Sequence, residues 1–128
     1  MMAGTILLYG FDELPEILAV QAAAGPFQAE VKPIWRDQWR TPVGALAGRK
    51  LRPGKAEAVP ARLNGQMLVL CDLDEQVDAL LPALRGAGIG TACYKAVLTA
   101  YNQEWDGVAL LAELQKERRA IEDQRRKG

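Results

Sequence analysis

Thr5-Ile6-Leu7-Leu8-Tyr9-Gly10-Phe11-Asp12 decides how this chain is read. A short run suited to a buried strand ends at a glycine, and the acid that follows can cap a helix. Beyond it Leu14, Ile17, Leu18 and Ala22 share one helical face, Pro15 falls in the tolerant first turn, and Gly25-Pro26 stops the helix. Phe27 to Ile34 then sets Phe27, Ala29 and Val31 against Gln28, Glu30 and Lys32, the period of a half-exposed strand. Residues 5–34 therefore read as a βαβ unit.

The same order returns 62 residues later: Ile6-Leu7-Leu8 falls on Leu68-Val69-Leu70, Phe11-Asp12-Glu13 on Leu73-Asp74-Glu75, Leu18 on Leu80 and Phe27 on Ile89. In this second unit, residues 66–98, Val77, Leu80, Leu81 and Leu84 form a core-facing stripe, and Gly86 and Gly88 end the helix. Pro82 lies well inside that helix and is expected to kink or split it. Asp106 can cap a last helix over 105–126, with Val108, Leu111, Leu114, Arg118 and Ile121 at helical spacing. Its final turns, where only Ile121 is strongly apolar, should project or fray.

Two βαβ units in one α/β domain of residues 1–128 suggest a ferredoxin-like antiparallel sandwich with both unit helices on one face, plus the C-terminal helix. The alternative is a doubly wound parallel sheet with helices on both faces. The choice matters chemically. Acids gather after the first strand of each unit, Asp12, Glu13 and Glu16 in one and Asp72, Asp74, Glu75 and Asp78 in the other. A parallel sheet would bring them to one edge, and an antiparallel sandwich would hold them apart. Helix capping explains both clusters without any site.

Composition bounds the rest. The chain has 128 residues, 49% of them apolar, and 16 basic residues balance 16 acidic ones, as in ordinary globular domains. There is no histidine, which removes the commonest general base and metal ligand. No apolar run is long enough to span a membrane and no secretory leader opens the chain, so the expected location is the cytoplasm. Cys71 and Cys93 sit alone in apolar stretches and read as buried, reduced hydrophobes, with a redox role as the lesser alternative. No metal and no cofactor are expected; neither dinucleotide nor P-loop glycine patterns occur.

Between the units lies a Pro- and Gly-containing connector, residues 35–65, whose stretch 36–63 carries seven bases and two acids. Its run Arg49-Lys50-Leu51-Arg52-Pro53-Gly54-Lys55 lacks interleaved aromatics, so weak nucleic-acid binding is only a remote alternative. Trp35 and Trp39, with the apolar Thr41 to Gly48 segment, either fold back over the sheet or anchor a ligand or partner. In Tyr94 to Trp105, Lys95, Thr99 and Asn102 offer donors to an anion or carbonyl, with Tyr94, Tyr101 and Trp105 as walls. The competing reading there is an edge strand and a turn in which Asn102 bonds the local backbone.

Leu8-Tyr9-Gly10-Phe11, the Trp39 to Gly48 segment, Met67 to Cys71, and above all Lys95-Ala96-Val97-Leu98-Thr99 followed by Asn102 and Trp105 resemble a family of small bacterial proteins known only as a domain of unknown function. The likeness runs from Thr5 to about Leu114 and weakens over Arg49 to Leu63. It implies a bacterial, cytosolic, compact α/β protein and brings no activity. It makes Lys95, Thr99, Asn102 and Trp105 parts of one recurring local pattern.

With no nucleophile-base pair, metal set or phosphate loop, the expected function is a non-enzymatic module that binds a small ligand or a partner. The expected ligand-binding residues are Lys95, Thr99, Asn102, Trp105 and Trp39. A small anionic ligand, a second copy of the chain or another protein would be the partner, with neither nucleic acid nor membrane expected. The alternative is an enzyme in which Lys95 works with Asp12 or Asp74.

Overall fold

The computed structural model describes residues 4–49, 63, 65–90 and 92–127. Among the described residues four strands and four helices follow one another as β1 (Gly4–Tyr9), α1 (Leu14–Ala24), β2 (Ala29–Ile34), α2 (Val43–Leu46), β3 (Gln66–Cys71), α3 (Val77–Gly86), β4 (Cys93–Val97) and α4 (Gly107–Lys127). Short 3-10 turns at Gly25–Phe27, Arg36–Gln38 and Asp74–Gln76 join them.

The strands form one open sheet in the order β2-β1-β3-β4. β1 runs parallel to β2 and β3 parallel to β4, whereas β1 and β3 meet antiparallel at the centre, Thr5 opposite Cys71 and Tyr9 opposite Met67. Each βαβ unit thus keeps its own parallel pair, and the units join back to back. This corrects the expectation of a ferredoxin-like antiparallel sheet, and the doubly wound alternative fails too, because the sheet is mixed. The long connector, unlike a tight crossover, leaves the direction of the second unit free.

Both central strands are buried on both faces, which is why they read as unbroken apolar runs. Even-numbered Ile6, Leu8, Leu68 and Leu70 face the layer of α1 and α3 with Val20, Leu80 and Leu84. Odd-numbered Leu7, Tyr9, Met67, Val69 and Cys71 face Val43 and Leu46 of α2 and Leu110 and Leu111 of α4. Cutting one of these buried leucines to alanine costs about 2–5 kcal/mol in comparable cores. β2 closes one edge, and its Pro33 is tolerated because an edge strand has one side without ladder bonds.

Local details depart from the sequence reading for identifiable reasons. α1 buries Ile17, Val20 and Ala24, leaving Leu14 and Leu18 more than half exposed at 64% and 51%. Its N-cap is Glu13, not Asp12, and neither α1 nor α3 has a side-chain cap, so the first-turn acids act on these helices through the dipole and not by capping. The strand expected from Phe27 begins at Ala29, after a 3-10 turn and a left-handed Gln28. α3 passes through Pro82 unbroken: Pro82 and Asp78, whose carbonyl loses its donor, are both exposed, so the vacant position is open to solvent. At α4 the expected cap is present, Asp106 Oδ1 accepting from the Ala109 N–H at 2.8 Å. That helix runs on to Lys127, with Leu110 and Leu111 buried and Ile121 exposed.

Candidate functional site

The described part of the connector packs onto the body of the protein. From Trp39 to Gly44 it is stitched to the loop after β4: Val43 N–H donates to Trp105 O and Gly44 N–H to Gln103 O, both at 2.8 Å, and Gly107 N–H to Trp39 O at 3.1 Å. Arg40 pairs with Asp106 at 3.5 Å, and Lys32 donates to the Leu46 carbonyl at 3.1 Å. Trp39 and Trp105 pack against the same core face, so the segment covers the sheet as a second apolar layer. Positions 50–55 of the basic run lie outside the described residues, while Arg49 is ion-paired with Asp72.

The loop around Asn102 is built from its own hydrogen bonds. Asn102 Oδ1 accepts from Thr99 N–H at 2.9 Å, Thr99 Oγ1 accepts from Asn102 N–H at 3.1 Å, and Asn102 Nδ2 donates to Val97 O at 3.0 Å. This reciprocal turn satisfies a buried amide and aims the chain into α4. Lys95 Nζ donates to Gly90 O at 2.9 Å and Cys93 O at 3.0 Å, bracing the turn that precedes β4. Tyr101 and Trp105 stack edge to face at 5.3 Å. Lys95, Asn102 and Trp105 do border one open groove of about 380 Å³ under α4. Thr99 does not line it, and Trp39 opens on a different cleft.

That other cleft lies where the parallel strands β1 and β2 end side by side, with Tyr9 opposite Ile34. Its volume is about 440 Å³, and Gly10, Asp12, Trp35, Arg36 and Trp39 are among its walls. Carboxyl ends of parallel strands are the usual place for ligands in open α/β sheets, because the loops diverge there. Gly10 has a positive φ of 76°, and a Cβ there would collide with the Gly65 carbonyl, so only glycine lets the chain turn out of β1 at this point. Trp39 Nε1 donates to Ile34 O at 3.2 Å, and Gln38 N–H to Trp35 O at 2.8 Å, which fixes the wall formed after β2. Trp35 remains 55% exposed. Asp12 and Arg36 are exposed, with no side-chain partner among the described residues. The sequence reading missed Arg36, although its signal was available: it follows the second strand of a unit whose first strand is followed by Asp12.

The acid clusters lie at opposite ends of the sheet, since β1 and β3 are antiparallel. Glu16 accepts from the Gln66 amide, which ties α1 to β3. The thiols are poor nucleophiles near neutral pH. Burial, with the neighbouring Asp72 adding to it, pushes Cys71 up to about 12, and burial pushes Cys93 up to about 11. Burial also raises Tyr9, whose hydroxyl has no hydrogen-bond partner among the described residues.

Fold and cleft together define a small three-layer α/β protein with an open mixed sheet and a ligand-sized recess at one strand edge. Residues 66–121, from β3 through most of α4, match the family model of Domain of unknown function (DUF3783), in agreement with the likeness read from the sequence. No curated protein and no solved structure matches the chain. Lys95, Thr99, Asn102 and Trp105 fall within the matched segment, and the β1/β2 cleft falls outside it. No helix among the described residues is long and apolar enough to cross a membrane.

Proposed function

We propose that this chain is a non-catalytic binding module whose ligand, a small molecule, enters the cleft at the ends of β1 and β2. One observation carries the reading. The cleft holds an exposed tryptophan beside an acid and a base with no described partner, whereas the polar groups of Lys95, Thr99 and Asn102 are bonded to their own backbone. Its volume of about 440 Å³ sits within the range typical of small-molecule sites. Of the five residues singled out in the sequence, Trp39 belongs to this cleft, Thr99, Asn102 and Trp105 shape the loop that seats α4, and Lys95 braces the turn before β4. Two buried free cysteines support a cytoplasmic setting.

Screening a set of small organic ions against the full chain, with the three tryptophan indole N–H resonances as reporters, tests this reading. Binders should move the Trp35 and Trp39 signals and leave Trp105 in place. A set that moves Trp105 alone, or no indole at all, contradicts it.

A further inference from the structure

Asp12 leaves the end of β1 and Arg36 the end of β2, on neighbouring strands and around one recess. Opposite charges so placed ordinarily close on each other, yet no ion pair joins them, and neither bonds another described side chain. Each head therefore remains available to a ligand. A ligand with only a negative group would be drawn to Arg36 and repelled by Asp12, and one with only a positive group would meet the reverse. A ligand carrying both charges, set apart, satisfies both. The same recess is lined by Trp35, 55% exposed, and by Trp39, held by its bond to Ile34 O, surfaces suited to an aromatic or apolar tail. Tryptophan faces also attract an ammonium group.

We infer that the cleft takes a small zwitterion with an aromatic or apolar tail, an α-amino acid being the simplest member: Arg36 holds the carboxylate, Asp12 the ammonium and the two tryptophans the side chain. This rests on the cleft reading given above and narrows it to a ligand class.

L-phenylalanine, 3-phenylpropionate and 2-phenylethylamine share a tail and differ in charge, so they serve as probes in calorimetry and indole N–H titrations of the full chain. Phenylalanine should bind at least about tenfold more tightly than either singly charged analogue. Arg36→Gln should weaken phenylalanine and phenylpropionate and spare phenylethylamine, and Asp12→Asn should do the opposite. Both positions are exposed, so folding should be retained, with circular dichroism as the check. Equal affinities, or tighter binding of a singly charged analogue at Trp35 and Trp39, would overturn the zwitterion inference while leaving the cleft reading standing. Silence of all three probes would also overturn it. The cleft reading itself falls only if the broader ion set is silent at those tryptophans too.

Discussion

The Tyr9 ring lies against the first residue of α4, Gly107, so closely that a Cβ at Gly107 would collide with the ring's Cε1, Cδ1 and Cζ atoms. Tyr9 ends β1 and Gly107 begins α4, so this contact decides how near the C-terminal helix approaches the sheet. Gly107→Ala should lower unfolding free energy by about 1–3 kcal/mol, the usual effect of overpacking, read as a fall in the urea midpoint. Gly86→Ala, at the end of α3 where an added Cβ meets nothing, is the control and should be neutral or slightly stabilising. Equal losses at both sites would refute the close approach.

Tyr9 hides a hydroxyl that gains nothing visible from burial. Removing a polar atom that has no partner among the described residues avoids its desolvation penalty, so Tyr9→Phe should be at least as stable as the parent. A loss above about 1 kcal/mol in urea unfolding would mean the hydroxyl is bonded.

Asn102 behaves as an internal brace here, with its side-chain oxygen and nitrogen both used. Asn102→Ala should cost about 1–3 kcal/mol and leave the affinity of any cleft ligand unchanged. If affinity falls while the urea midpoint holds, the loop after β4 is a binding site and the assignment of roles is wrong.

The thiols give a pH dependence with a definite sign. Their pKa values are raised by burial from the ordinary 9.0 to about 12 for Cys71 and about 11 for Cys93. An unfolded chain would ionise them first, so their stabilising contribution is whole below pH 9 and is lost as pH rises through 11 and 12. The Cys71→Ser, Cys93→Ser double variant should lose less stability over that interval than the parent. A disulfide-exchange dye at pH 8 should react with neither thiol until denaturant is added.

Much of this architecture was legible in the chain itself. Ile6 to Leu8 and Leu68 to Leu70 announced central strands because burial on both faces demands unbroken apolar runs, and Asp106 announced its helix through a local bond. The relative direction of the units was not legible, since nothing within either unit records how a long connector returns. The face of α1 misled for a related reason: with alanines at 19, 22, 23 and 24, its sides differ little in apolarity, and packing against α3 chose Val20 and Ala24 over Leu14 and Leu18. The cleft stayed hidden because it depends on which loops end at the same edge. Asp12 and Arg36 mean little until β1 and β2 are known to be parallel neighbours.

That parallel pair, set back to back against its counterpart, is what separates the recess from the second acid cluster, and backbone NMR of the full chain reads it directly. Interstrand contacts should join Thr5 to Cys71, Leu7 to Val69 and Tyr9 to Met67, while Tyr9 also neighbours Ile34. Contacts joining Thr5 to Met67 and Tyr9 to Cys71 would mean parallel central strands, would bring both acid clusters to one edge, and would contradict the site described here.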